Sequence, residues 1–108
     1  MVNSIFDPYY MYQINEIFKA AERGDVKELS DYLENGGNIN AQDPVFGLTI
    51  FQVAIANHNV DFARAVGGSP NFDPFQRDKA GRSALDIAHA TGNSTMVDIV
   101  LQHLGLDD

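Results

Sequence analysis

The strongest constraint in this chain is a self-similarity at an offset of 34 residues: Ala20, Ala54 and Ala88 fall into register, as do Gly24, His58 and Gly92, and Asp25, Asn59 and Asn93. A period of this length belongs to one supersecondary unit, too small to bury its own apolar face. Such units make a core only by stacking on neighbours, so the chain reads as a repeat array with its function on the surface of the stack.

The clearest unit spans residues 78 to 105. Asp78-Lys79-Ala80-Gly81 predicts a tight turn, with Gly81 free to take a positive φ and Asp78 able to bond its own backbone. Ala84, Leu85, Ile87 and Ala88 then give a short helix a small-residue face, and Gly92-Asn93 ends it. Val97, Val100, Leu101 and Leu104 recur at helical spacing in a second, antiparallel helix. The first unit repeats the order. Ile14, Ile17, Phe18, Ala20 and Ala21 make a helix closing at Gly24-Asp25, Val26, Leu29, Tyr32 and Leu33 make its partner, and a polar return loop runs from Glu34 to Asp43.

Helix, Gly-Asp or Gly-Asn turn, helix, then Gly-x-x-x-Asn-Ala-x-Asp at residues 36 to 43 resembles the ankyrin repeat, whose first helix usually opens Thr-Pro-Leu-His-x-Ala. The resemblance covers Ile14 to Leu104. Thr49-Ile50-Phe51-Gln52-Val53-Ala54 and Ser83-Ala84-Leu85-Asp86-Ile87-Ala88 stand where that opening belongs, each without its proline and histidine. A competing helical repeat of similar period has longer helices and no Asn-Ala-x-Asp finger. The resemblance implies an all-α, ankyrin-type helix-turn-helix repeat solenoid with short finger turns. Residues 1–13 form an aromatic N-terminal capping segment, and 14–108 hold repeats at about 14–46, 47–80 and 81–108.

The middle unit departs from the pattern. Gly67, followed by Gly68, replaces the aliphatic of Leu33 and Leu101, so a burial worth about 1.5–3 kcal/mol is missing. Two glycines also weaken the helix end by roughly 1 kcal/mol each. A short second helix and the lowest local stability of the three units are expected there. Asn71 stands for the stop glycine. His58 stands where the other units have glycine, a place that needs positive φ, and reads as a strained turn without functional weight. Ahead of the repeats, Asp7-Pro8 is a good helix start, and Phe6, Tyr9, Tyr10 and Tyr12 either cover the open apolar end of the stack or form a binding anchor.

Composition removes whole classes of function. With 108 residues the chain makes one domain, and with no cysteine it has neither a disulfide framework nor a thiolate metal site. No targeting peptide and no apolar run of membrane length is read, which makes the expected location cytoplasmic. A net charge of −8 disfavours nucleic acid and anionic lipid and suits a basic protein partner. His58, His89 and His103 are scattered, and the Gly-Gly pairs end helices instead of opening them, so no metal, cofactor or nucleotide site is expected. Asp86 and His89, three apart, are the nearest approach to a catalytic pair and read as a helix-surface hydrogen bond. No catalytic residue is assigned, and the chain is expected not to be an enzyme.

Carried over position by position, the resemblance implies binding along the fingers and the adjoining first-helix face. The first finger offers Gln42, Asp43, Pro44, Val45, Phe46 and Leu48, and the second Arg77, Asp78, Lys79 and Arg82. On the first helices the outward positions are Glu22 and Arg23, Ala56 and Asn57, and Ala90 and Thr91. The first finger is one residue longer than the second, four steps from Asp43 to Gly47 against three from Asp78 to Gly81, and carries Phe46 either as a buried turn residue or as a contact anchor. Arg77, Lys79 and Arg82 are three of the seven basic residues. The expected function is a non-catalytic, monomeric protein-binding module, an inhibitor or immunity-like antidote among its forms. The alternative is a structural subunit that associates with itself.

Overall fold

The computed structural model describes residues 8–106, with side chains from Ile14 onward. Among them are six helices: α1 (Pro8–Arg23), α2 (Val26–Glu34), α3 (Ile50–Ala56), α4 (Val60–Gly67), α5 (Ala84–Thr91) and α6 (Ser94–Leu104). Consecutive helices pair as antiparallel hairpins, and the pairs stack so that α1, α3 and α5 form one row and α2, α4 and α6 the other. The stack measures 45 × 28 × 23 Å. The aromatic N-terminal expectation on Phe6, Tyr9, Tyr10 and Tyr12 lies outside the described side chains.

Polar side chains start most of these helices. Asp25 Oδ1 accepts from Glu28 N at 3.1 Å ahead of α2, and this bond above all holds its carboxyl below the ordinary 3.8. Thr49 and Gln52 exchange side-chain and backbone bonds as a capping box on α3, and Ser83 and Asp86 do the same on α5. At the hairpin turns, Gly24 has φ +76 and Gly92 φ +69, and His58, in the same place, is held at φ +60. A side chain there is strained, because Cβ crowds the following carbonyl in the left-handed region.

The repeated alanines explain the close stacking. Ala20, Ala54 and Ala88 are each fully buried, and a methyl group is all that fits where one first helix meets the next. Phe51, Phe62, Ile17, Ile50, Ile55, Met96 and Ile99 fill the space between the two rows. The face of α6 differs from the expected one. Met96, Ile99 and Val100 are its buried residues, whereas Val97, Leu101 and Leu104 are only half-buried. Val97 is equivalent to the buried Leu29 and Ala63, but no further helix pair covers it among the described residues.

Register between repeats is set by side-chain amides. Asn59 Nδ2 donates to the carbonyls of Ala21 (2.7 Å) and Glu22 (2.9 Å) at the end of α1. Asn40 donates to Asn71 O and accepts from Asp73 N, both at 2.8 Å. The buried Gln52 accepts from Thr49 N and donates to Arg82 O at 3.1 Å. Each bond saturates a backbone group that would be costly to leave unpaired, and those that cross between repeats are lost if one repeat slips against the next.

The middle unit corrects an expectation. Helix α4 has eight residues against nine in α2 and eleven in α6, but the missing aliphatic leaves no void. The His103 ring occupies the place: a Cβ on Gly67 would lie 2.3 Å from its Nε2. The ring stands edge-on to Phe51 and Phe72, at centroid distances of 6.1 and 6.5 Å, and those two phenylalanines meet at 4.8 Å. Gly67 is therefore a packing choice that admits an aromatic cluster built from the second and third repeats.

Candidate functional site: the fingers and the inner helix row

The first finger, which precedes α3, is built around one carboxylate. Asp43 Oδ1 accepts from the amides of Val45 (2.9 Å) and Phe46 (2.7 Å), Oδ2 accepts from Leu48 N (2.8 Å), and Gln42 pairs with Thr49 across the base. Gly47 is required twice, for its φ of +72 and because a Cβ would lie 3.0 Å from Lys79 N. With the turn's amides satisfied by Asp43, the side chains at the tip have no folding duty. Val45 and Phe46 are 66% and 64% exposed, which decides between the buried-turn and exposed-tip readings of Phe46. Leu48 is different: it is half-buried against the core and is not part of the exposed tip.

The second finger, which precedes α5, is held by Asp78, whose side chain is 1% exposed. Burial alone would raise its pKa, but bonds from Arg82 N (2.8 Å) and Arg82 Nε (2.7 Å), with Ala80 N, hold it below 3.8. The three basic residues are all engaged within the chain. Arg82 pairs with Asp78, Arg77 Nη1 donates to Gly81 O (2.8 Å) and lies 3.8 Å from Asp86 Oδ2, and Lys79 Nζ donates to Pro44 O across the two fingers. Lys79 N also donates to Phe46 O at 2.9 Å. Gln42 Nε2 bridges Gly47 O and Arg77 O, so this residue joins the fingers and is not a free contact.

Behind the fingers, α3 and α5 present the surface on which Asn57 and Thr91 were expected as contacts. Asn57 Nδ2 folds back to Val53 O (2.8 Å) and the Thr91 hydroxyl to Ala88 O (2.6 Å). Between the two helices lies an open cavity of about 320 Å³ with Ala56, Ile87 and Ala90 as apolar lining and His58, Arg82 and Asp86 as polar lining. His58 also borders a second hollow, beside Gly24 and Asn59. Sequence reading gave His58 no role beyond its turn. Its Nδ1 meets Asn93 Nδ2 at 2.8 Å, joining the second repeat to the third, and the 35-residue spacing of this pair next to the 34-residue period was the available signal.

The expected Asp86–His89 bond is replaced by another. Asp86 accepts from Ser83 N at 2.9 Å, and with the Ser83 hydroxyl and the nearby Arg77 this holds its carboxyl below 3.8. Asp86 is one period after Gln52, and both close capping boxes, so its role is to start α5. Among the described residues no group of three or more His, Asp or Glu side chains is placed to hold a metal ion, and no helix is long and apolar enough to cross a membrane.

A comparison with protein families finds a match to the model for ankyrin repeats, in three copies, over residues 17–107. It spans all six helices except the first turns of α1.

Proposed function

The chain belongs to the ankyrin repeat family, whose members generally mediate protein–protein interaction and are generally not catalysts, and from this premise we propose that it binds a protein partner through its fingers and inner helix row. One observation carries the reading: Val45 and Phe46 hold two large apolar side chains in solvent at a tip whose backbone Asp43 already satisfies. Apolar side chains clustered at a rigid protrusion are what binding surfaces use as anchors. The fingers are tied together by Lys79 and Gln42, so the surface is organised before the partner arrives, and less ordering entropy opposes association.

Action follows by occlusion. A rigid surface that covers its partner removes it by mass action, as an inhibitor or an immunity-like antidote does, without chemistry of its own. The net charge of −8 steers a basic partner from a distance. Photo-crosslinkers placed singly at Phe46, Ala90 and Asp98 test this. Positions 46 and 90 capture one and the same protein and position 98, on the exposed side of α6, does not. Capture only from position 98, or crosslinking of the chain to itself from position 46, would replace the reading with an outer-face or a self-associating one.

A further inference from the structure

The cavity between α3 and α5 has chemistry of its own. Resting on the reading of this face as the partner surface, we propose that the cavity receives a carboxylate side chain of the partner, held by the Arg82 guanidinium and the Nε2–H of His58. The hydrogen-bond pattern fixes the His58 tautomer. Asn93 Oδ1 accepts from Thr95 N at 2.9 Å as the cap of α6, which leaves its Nδ2 to donate to His58 Nδ1 at 2.8 Å. A nitrogen that accepts carries no hydrogen, so the ring hydrogen is on Nε2. His58 is thus a fixed donor, and it is kept at φ +60 where the equivalent residues are glycine. Retained strain of this kind clusters at functional positions.

Arg82 is the second donor. Its Nε is spent on the buried Asp78, which orients the guanidinium, and the side chain remains 55% exposed and lines the cavity. A planar guanidinium with one edge anchored offers its other donors to a carboxylate. The acidic group of the cavity, Asp86, is already answered within the chain by Ser83 N and by Arg77. Ala56, Ile87 and Ala90 suit the methylene stem of an aspartate or glutamate. The chain's overall negative charge governs approach, whereas these two donors decide which group seats here.

Titrating the whole chain, observed by its backbone amide resonances, with capped peptides Gly-Ala-X-Ala-Gly in which X is Glu, Gln or Lys tests the assignment. The Glu peptide shifts the amides of Ala56, His58, Ala90 and Thr91 in a saturable way, and the Gln and Lys peptides bind about tenfold more weakly. Arg82→Gln lowers the Glu-peptide affinity by about tenfold. Because that variant also leaves Asp78 without its partner, Arg82→Lys is measured beside it, and the same loss is expected when the single ammonium is held by Asp78. Asp86→Asn does not weaken binding. Preference for the Lys peptide at these amides with loss in Asp86→Asn would overturn the carboxylate assignment while leaving the face as a binding surface. Equal effects of all three peptides, no saturable shift, or full binding in both Arg82 variants would overturn it outright. A partner crosslinked from position 46 with no peptide seated in the cavity would leave the protein-binding reading standing and remove this one.

Discussion

Putting a side chain on Gly67 brings the repeat pattern and the packing into opposition. By pattern, Gly67→Ala should stabilise, since glycine in a helix is worth about 1 kcal/mol less than alanine. By packing it should not, because the new methyl would stand 2.3–2.5 Å from three atoms of the His103 ring. The ring can escape only by leaving Phe51 and Phe72, and two aromatic contacts at about 0.5–1.5 kcal/mol each make that cost about 1–3 kcal/mol. The net change is a loss of about 0–2 kcal/mol, too small to be decisive alone. The coupling is decisive. In a His103→Ala background nothing opposes the methyl, and Gly67→Ala gains up to about 1 kcal/mol, so the double-mutant cycle carries an interaction of about 1–3 kcal/mol. Urea unfolding followed by helical circular dichroism gives the four stabilities. Equal stabilisation by Gly67→Ala in both backgrounds would refute the idea that glycine is there to admit the histidine.

Other expectations concern single bonds. Asp25, Asp78 and Asp86 all have carboxyls held below 3.8, so each contributes stability that is complete above that pH and is lost as pH falls through its lower folded value. Asp78→Asn should flatten the fall of the unfolding midpoint on that acid side, and an unchanged acid limb would contradict the role given to the Asp78–Arg82 pair. Asn93→Ala removes both the cap of α6 and the tie to His58 and should cost about 1–2 kcal/mol, with faster hydrogen exchange in the first turn of α6. Unaltered exchange there would show that another group does the capping. Replacing the finger bases gives a further contrast: Arg77→Ala, whose partners are exposed, should change stability by less than about 1 kcal/mol, whereas Arg82→Ala leaves the buried Asp78 carboxylate without its guanidinium and should cost more in the same urea assay.

The period made the stack legible. Ala20, Ala54 and Ala88 can share surroundings only if equivalent helices pack alike, and the glycines with Asp or Asn after them mark the turns without reference to distant residues. Local chemistry also announced the second finger, since Asp78 followed by Gly81 already contains its turn. What stayed hidden depends on partners far along the chain. That Gly67 leaves room for His103 requires knowing which ring from α6 reaches the end of α4, and Val97 drops out of the buried face of α6 because no further helix pair covers it among the described residues. The polar contacts were half visible. Gln42, Lys79 and Arg82 do lie on the fingers, but Gln42 and Lys79 join the two fingers and Arg82 gives its Nε to Asp78, which composition and spacing do not reveal. Asp86 was misread for the opposite reason: His89 was near in sequence, while the informative neighbour was Gln52, one period away.

The choice of residues for the decisive experiment follows from this division of labour. Arg82 is entangled with a buried carboxylate, whereas Val45 and Phe46 can be changed without touching a bond that holds the finger. Affinity of the crosslink-identified partner for the native chain and for a Val45→Ser, Phe46→Ser double variant, measured by titration calorimetry beside the urea midpoint, addresses the proposed surface directly. With about two-thirds of each side chain still exposed, their burial on binding is worth about 2–4 kcal/mol, so affinity should fall roughly 30-fold to 1000-fold while the midpoint stays in place. Undiminished affinity, or an affinity loss that merely tracks a lowered midpoint, would contradict the assignment of the finger tip to recognition.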